Sequence, residues 1–270
     1  MKKILFFETY EFTGATRVTH TLAKTAKQKY EVAFALVGER VREDIESAII
    51  KEQPDILFSS FILINPDVIQ AGKRHSLYVI IRNDCNLEDV AESVRQRAFE
   101  IYPLADEIIA QTEVMRQSLI PIPAIEPSKV SVLENPLDEE DILEKANEPN
   151  PFQENGCFHF LWVGRNDPIK GLPTLQKAFE IVNKENPRTD LTLISDNPNP
   201  YKWMKHADCL VISSKSEASP NVLREALFLG TPVISTDCSP TVKELLEKDR
   251  IVPVGDYESM AEAMMSIMRE

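Results

Sequence analysis

The sequence predicts an α/β protein whose parallel sheets are covered by helices on both faces. Short runs of β-branched and aromatic residues recur along the chain, and most are continuously hydrophobic rather than alternating. Amphipathic stretches separate most of these runs, which is the rhythm of a doubly wound sheet. The 270 residues, 43% of them hydrophobic, suffice for two domains of roughly 130 residues each.

The first half of the chain contains six strand candidates. They are residues 3–7, 31–37, 55–59, 77–82, 107–111 and 129–133. Helical periodicity is found at residues 17–30, 42–51, 89–102 and 113–120. Strand and helix therefore alternate over this half.

The second half repeats the pattern after a change in composition. Its strand candidates are residues 158–163, 190–194, 209–213, 232–236 and 250–254, and its helix candidates are residues 172–186, 201–206, 221–229, 242–247 and 257–269. Residues 134–156 are rich in Pro, Asn and Glu, which is typical of an exposed linker. We therefore expect two Rossmann-like domains, residues 1–140 and 151–270, facing a ligand-binding cleft.

Charge and cysteine content exclude several classes of protein. The chain carries 30 Lys and Arg against 43 Asp and Glu, a net charge of −13, so a general nucleic-acid binder is excluded. The cysteines at 85, 157, 209 and 238 form no C-x-x-C pair, which favours reduced thiols in the cytosol. The first apolar run is too short for a signal peptide, and no run is long enough to span a membrane. We expect a cytoplasmic protein.

Residues 217–230, EASPNVLREALFLG, predict a ligand-binding helix start. Ser219 is a candidate N-cap and Pro220 suits the first turn. The first N–H groups of such a helix, with its positive dipole end, suit a phosphate. Glu217 and Glu225 both border this start, and a carboxylate pairs well with the hydroxyls of a ribose or hexose. The alternative is an ordinary buried helix with a solvated glutamate.

Two other segments place polar residues after strands. In FLWVGRNDPIKG, residues 160–171, Arg165 and Lys170 share one loop. The spacing is not that of a P-loop, but two cations suit a pyrophosphate; the alternative is two surface charges. Near the amino terminus, Gly14 either allows a ligand to approach the backbone or serves a turn, and no G-x-G-x-x-G fingerprint is present.

Together these segments resemble the retaining nucleotide-sugar glycosyltransferases of family 4, which have the two-domain GT-B fold. FTGATR, FLWVGRNDPIKG and ADCLVISSKSEASPNVLREALFLGTPVISTD carry the resemblance. The last segment contains the family's E-x7-E signature, with Glu217 and Glu225 in its two places. Weaker similarities, such as AQTEVM and VSVLENPL, extend over most of the chain. The bacterial enzymes of envelope-polysaccharide synthesis are the most similar type.

The resemblance implies a role for each residue of the signature. Glu217 would contact hydroxyls of the donor sugar and Glu225 the ribose of the nucleotide. The backbone amides of Ser219, Asn221 and Val222 would approach the sugar and the phosphates.

It also implies how the departing diphosphate is stabilised. Arg165 and Lys170 would neutralise it, and the loop at Gly14 would close over the donor. Such enzymes need no metal or other cofactor, and the sequence shows no cluster of metal ligands.

The chain departs from the family pattern at three places. Many relatives have a histidine where VIIRND places Asn83, our candidate on the acceptor side, and asparagine does not titrate near neutrality. A strand–helix unit usual after residues 191–195 is missing, which puts recognition of the base in doubt. The chain also ends at Glu270 without the usual terminal helices, so we expect an unusually short member.

The expected function is transfer of a hexose, with retention, from a nucleoside-diphosphate sugar to a glycan or lipid-linked acceptor. UDP is the favoured nucleotide. Lys24, Lys27 and Lys29 would contact anionic lipid at the inner face of the membrane, or form a solvated helix face. The alternatives are a nucleotide-sugar epimerase of the same fold and a degenerate, non-catalytic partner subunit.

Overall fold

The computed structural model describes residues 1–10, 14–152, 156–195, 197 and 199–269. The chain divides into two compact units, Met1–Pro136 and Leu137–Glu270.

The first unit is built on a parallel sheet of six strands in the order β2-β1-β3-β4-β5-β6. Its strands are β1 (Lys3–Thr9), β2 (Glu31–Val37), β3 (Ile56–Ser59), β4 (Tyr78–Arg82), β5 (Glu107–Ala110) and β6 (Val130–Val132). Its helices are α1 (Gly14–Ala26), α2 (Val41–Glu52), α3 (Asn65–Arg74), α4 (Glu92–Ile101) and α5 (Glu113–Leu119). The interior strand β1 is buried over its middle because its residues there are apolar on both faces.

The second unit contains a parallel sheet of five strands in the order β11-β10-β9-β7-β8. Its strands are β7 (Phe158–Val163), β8 (Thr189–Ile194), β9 (Cys209–Ile212), β10 (Val233–Thr236) and β11 (Ile251–Val252). Its helices are α6 (Glu139–Ala146), α7 (Leu172–Glu185), α8 (Tyr201–His206), α9 (Asn221–Phe228), α10 (Pro240–Leu245) and α11 (Tyr257–Ile267). The prediction of two parallel α/β sheets is confirmed.

Each sheet reverses its strand order beside its first strand. β1 lies between β2 and β3, and β7 lies between β8 and β9. All the pairings are parallel, so the carboxyl ends of the strands share one edge in each sheet. The loops that leave this edge near the reversal are where open α/β sheets bind ligands.

The predicted linker is wrong in one respect. The boundary between the units follows Pro136, and residues 139–146 form α6, whose Ile142 and Ala146 are buried in the core of the second unit with Tyr201 and Met204. Asp138 caps this helix by accepting a hydrogen bond from the Asp141 N–H at 3.3 Å. The acidic composition of the segment concealed an amphipathic helix.

The core on one face of the second sheet fixes the position of its strand ends. Phe160 and Trp162 of β7 pack with Leu175 of α7 and with Met260 and Met264 of α11. Close packing of this kind leaves strand ends little freedom. Among the described helices, none is both long and apolar enough to cross a bilayer.

Candidate active site

The loop after β7 carries the two predicted cations and is shaped by its own backbone. The Asp167 carboxylate accepts a hydrogen bond from the Ile169 N–H at 2.9 Å, which caps a short 3₁₀ turn ending at Lys170. Gly171 then adopts φ +63° and connects this turn to α7. Arg165 is exposed, whereas Lys170 is half-buried.

Gly171 is required because another loop passes close behind it. A Cβ atom at Gly171 would lie 1.9 Å from the carbonyl oxygen of Ser213, which follows β9. The Ser213 hydroxyl donates to the Lys170 carbonyl at 2.8 Å, and the Lys215 N–H donates to the Ile169 carbonyl at 2.7 Å. The loops after β7 and β9 are therefore bonded to each other.

This contact brings together Lys170 and Glu217, which are far apart in the sequence. The Lys170 Nζ lies 2.5 Å from Glu217 Oε1, and the Ser214 hydroxyl donates to the same oxygen at 2.7 Å. The side chains of Lys170 and Glu217 are 22% and 16% exposed. Solvent therefore reaches an ion pair that the protein holds in place.

A third loop, which follows β10, holds the backbone around Glu217 by hydrogen bonds. The Glu217 N–H donates to the Cys238 carbonyl at 2.9 Å, and the Ser239 hydroxyl donates to the Ala218 carbonyl at 3.1 Å. Burial raises the pKa of the Cys238 thiol, with the charge of Glu217 acting in the same direction. This cysteine is therefore a neutral supporting residue and not a nucleophile.

The start of α9 differs in detail from the prediction. Pro220, with φ −68° and ψ 111°, occupies the cap position, and the first helical residue is Asn221. Ser219 is not the N-cap; it is buried, and its hydroxyl accepts a hydrogen bond from the Thr241 hydroxyl at 3.5 Å. Asn221 and Val222 are half-buried in the first turn, where the Leu223 N–H donates to the Pro220 carbonyl at 3.2 Å.

Glu225 lies deeper than Glu217. It is 4% exposed, and the Tyr201 hydroxyl from α8 donates to its Oε1 at 3.4 Å. The two glutamates of the signature thus occupy different environments on the second unit.

Asn83, the predicted acceptor-side residue, is fully buried at the carboxyl end of β4. Its amide nitrogen donates to the Cys85 carbonyl at 2.6 Å, and its amide oxygen accepts from the Tyr102 hydroxyl at 3.1 Å. The Gln111 amide donates to the Asn83 carbonyl at 3.1 Å. These contacts make Asn83 part of an internal network rather than an exposed group for an acceptor.

Sequence reasoning missed Arg82, which precedes Asn83 and is also fully buried. Its Nη2 donates to the Asn135 side chain, and no described residue accepts a hydrogen bond from its Nε or Nη1. Burial lowers the pKa of the Arg82 guanidinium to about 10. A charged residue at the end of an apolar strand was the available signal.

The remaining predictions concern Gly14 and metal ions. Gly14 is the first residue of α1, and the predicted loop before it, residues 11–13, lies outside the described residues. No group of three or more His, Cys, Asp or Glu among the described residues has the geometry of a metal site.

Comparison with known sequences supports the resemblance. Residues 194–270 match the family model described as glycosyl transferases group 1. An uncharacterized glycosyltransferase of Methanocaldococcus jannaschii is 30% identical over 174 residues, which is 54% of this chain and 43% of that protein. The N-acetylgalactosamine-N,N'-diacetylbacillosaminyl-diphospho-undecaprenol 4-alpha-N-acetylgalactosaminyltransferase of Campylobacter jejuni is 25% identical over 195 residues, 63% of this chain and 53% of that protein. The chain thus spans about half the length of these two relatives.

Solved structures share the fold over the whole chain. HepE of Anabaena in complex with UDP-glucose has a TM-score of 0.78 at 15% identity, covering 99% of this chain and 90% of that one. An Escherichia coli structure described as trehalose-6-phosphate bound with UDP-2-fluoro glucose has a TM-score of 0.75 at 10% identity, covering 99% of this chain and 91% of that one. The shared fold shows that the chain has the GT-B fold, and the sequence matches show that it is similar to known glycosyltransferases.

Proposed function

We propose that the chain is a retaining, metal-independent glycosyltransferase that moves a hexose from a nucleoside-diphosphate sugar to a glycan or lipid-linked acceptor. The observation that carries this proposal is the partly exposed Lys170–Glu217 pair at the carboxyl edge of the second sheet, beside the first turn of α9. A cation, a carboxylate and helix N–H groups together match the diphosphate and the hydroxyls of such a donor.

The names of the similar proteins support the choice of substrates. The Campylobacter relative is named for transfer of N-acetylgalactosamine onto a diphospho-undecaprenol acceptor, and solved neighbours of the same fold contain UDP or UDP-glucose. UDP is therefore the nucleotide that we propose. A lipid-linked acceptor would bring the protein to a membrane surface, and we propose the inner face of the cytoplasmic membrane.

The chemistry that these residues would perform is stabilisation of a leaving group. The bond between the anomeric carbon and the diphosphate oxygen breaks, the acceptor oxygen bonds to that carbon on the same face, and the acceptor's proton passes to the departing diphosphate oxygen. Negative charge grows on the diphosphate as its bond breaks. Arg165 and Lys170 on the loop after β7 would stabilise this charge, because cations that already contact the diphosphate of the bound donor are in place when the charge grows.

The residues around α9 would hold the rest of the donor. Glu217 would accept hydrogen bonds from hydroxyls of the sugar, and the deeper Glu225 would bind the ribose. The backbone amides of Ser219, Asn221 and Val222 would contact the sugar and phosphates.

Turnover of a donor panel tests the proposal. The full chain is incubated with UDP-, GDP- and ADP-hexoses, with and without glycan and diphospholipid-linked acceptors, and release of nucleoside diphosphate is measured. We expect release from one donor that depends on an acceptor, with a product whose anomeric configuration matches the donor. Failure of every donor to bind in calorimetry would refute the proposal. Conversion of the donor sugar without transfer would indicate an epimerase instead.

A further inference from the structure

The carboxylate of Glu217 is held by a residue to which the sequence assigned no role. Both Lys170 Nζ and the Ser214 hydroxyl bind Glu217 Oε1, at 2.5 and 2.7 Å. We infer that Ser214 is a positioning residue that fixes the orientation of the Glu217 carboxylate toward the sugar of the donor. This inference rests on the proposed function and extends it to a residue outside the E-x7-E signature.

Ser214 is itself held firmly. It follows β9, its side chain is buried at 3% exposure, and its carbonyl accepts a hydrogen bond from the Thr236 hydroxyl of β10 at 2.5 Å. The adjacent Ser213 is bonded to the loop after β7. With a buried, bonded backbone and one side-chain torsion, the Ser214 hydroxyl loses little entropy when it binds Glu217.

Lys170 is a less constant partner for the same oxygen. Its ammonium group ends a flexible four-carbon chain and has three donors, and in the proposed function it also faces the diphosphate of the donor. A bound diphosphate competes with Glu217 for the lysine charge. Ser214 has no such second partner in the proposed function, so it would keep Glu217 oriented at the stage when Lys170 turns to the diphosphate.

This division of roles predicts which kinetic or binding constant changes when the Ser214 hydroxyl is removed. Misplacing a group that contacts the reacting sugar reduces turnover more than ground-state affinity. Loss of a hydrogen bond to a charged group changes an equilibrium or rate constant by roughly tenfold or more. Removing the Ser214 hydroxyl should therefore reduce kcat and leave the binding of nucleoside diphosphate unchanged.

The experiment compares Ser214→Ala, Ser214→Thr and Ser235→Ala with the wild-type full chain. Ser235 is a matched control, since it is also fully buried but donates to a backbone carbonyl, that of Thr236, at 2.8 Å. We expect Ser214→Ala to lower kcat by about tenfold with UDP affinity within about twofold of wild type in calorimetry. Ser214→Thr keeps the hydroxyl and should recover most of kcat, and Ser235→Ala should turn over normally. Retained UDP affinity also shows that each variant is folded.

A double-mutant cycle with Lys170→Met separates positioning from general stability. Lys170→Met should lower both kcat and UDP affinity, since the lysine also faces the diphosphate. In that background, Ser214→Ala should cost more in kcat than in wild type, because Glu217 Oε1 then has neither donor.

Three results would overturn the inference while the proposed function stands. They are a normal kcat in Ser214→Ala, an equal loss in Ser235→Ala, and strictly multiplicative losses in the cycle. A wild-type chain that binds no nucleoside diphosphate would instead refute the proposed function, and the inference with it.

Discussion

The carboxyl edges of the two sheets hold polar residues in opposite circumstances. At the edge of the first sheet, Arg82, Asn83 and Tyr102 are fully buried and bonded within the unit. At the edge of the second sheet, Lys170 and Glu217 are bonded to each other and still partly exposed, at 22% and 16%. The carboxyl edge thus encloses its polar residues in the first sheet and leaves them partly exposed in the second.

The contrast supports our proposal of which sheet edge binds a ligand. A buried polar network specifies the packing of the loops around it, and its donors and acceptors are out of reach of a solute. A partly exposed pair exchanges its partners for those of a ligand at lower cost, because water already reaches it. We therefore place the donor-binding chemistry at the edge of the second sheet, and the predictions below test this distinction.

The largest effect is expected from substitution of Arg165, the exposed cation at the carboxyl edge of the second sheet. Arg165→Ala should lower kcat by roughly 100-fold, about 3 kcal/mol, because the charge that develops on the diphosphate loses a fixed partner. Arg165→Lys should recover only part, since lysine lacks the planar fork. Steady-state kinetics at saturating acceptor would measure both. A folded Arg165→Ala variant with normal kcat and a raised KM would remove the leaving-group role.

The close approach of Gly171 to Ser213, which joins the loops after β7 and β9, should also be highly sensitive to substitution. Gly171→Ala places a Cβ 1.9 Å from the Ser213 carbonyl oxygen and should lower the free energy of unfolding by about 3 kcal/mol. Gly230→Ala is the matched control: its φ is also positive, at +78°, but nothing lies within 4 Å, so about 1 kcal/mol is expected.

Denaturation followed by tryptophan fluorescence measures this difference, because Trp162 and Trp203 both lie in the second unit. Equal losses in the two glycine variants would show that the loops do not approach as closely as the structure places them.

Substitutions of Glu217 and Glu225, at the carboxyl edge of the second sheet, should have different effects. Glu225→Ala should weaken binding of free nucleoside diphosphate about tenfold, because the lost contact is to ribose. Glu217→Ala should leave that affinity nearly unchanged and reduce turnover of the sugar donor. Calorimetry with UDP and kinetics with the sugar nucleotide separate these effects. The division of roles is wrong if both variants lose the same nucleotide affinity.

At the carboxyl edge of the first sheet, replacing the buried charge of Arg82 should stabilise the protein. Burial lowers the pKa of Arg82 from 12.5 to about 10, so the folded state disfavours its charge at neutral pH. Arg82→Met removes that penalty and loses the hydrogen bond to Asn135, and a net gain of about 1–2 kcal/mol at pH 7 is expected.

The sign of the pH dependence follows from this shift. Above pH 10 the folded wild type loses the proton while the unfolded chain keeps it, so wild-type stability rises relative to Arg82→Met. The difference between the two should shrink by about 1 kcal/mol between pH 7 and pH 10.5. Arg97→Met, which removes a half-exposed arginine paired with Asp67 at 2.7 Å, is the control and should not stabilise. Marked destabilisation by Arg82→Met would show that its guanidinium is well paired in solution.

The smallest expected effect is that of chelators. In the proposed function, Arg165 and Lys170 supply the positive charge that a metal would otherwise provide, so turnover in excess chelator should equal that with magnesium or manganese. Activity that disappears with chelator and returns with metal would contradict this expectation.

Much of the fold was predictable because continuous apolar runs identify buried parallel strands directly. Helix α3 was missed because it contains Pro66 and Gly72, which usually interrupt helices, and because polar residues such as Asn65 lie on its buried face. Helix α6 was missed because of its highly charged composition around two buried residues.

The candidate site was predictable in its residues but not in its contacts. Lys170 and Glu217 each follow a strand of the second half, yet their pairing depends on β7 and β9 being neighbours, which local sequence does not reveal. Ser214 was missed because a serine after a strand is common. The sequence did not reveal that Asn83 is enclosed by Tyr102 and Gln111, because these partners come from distant parts of the chain; its place on the acceptor side stays a prediction.

Hydrogen exchange of the full chain, with and without saturating nucleoside diphosphate, tests the central claim most directly. If the edge of the second sheet is the donor site, protection should increase at residues 164–171 and 213–222. Residues 83–91, which follow β4, should exchange at the same rate in both states. Protection confined to the first unit, with the loops after β7 and β9 unchanged by nucleotide, would contradict the account.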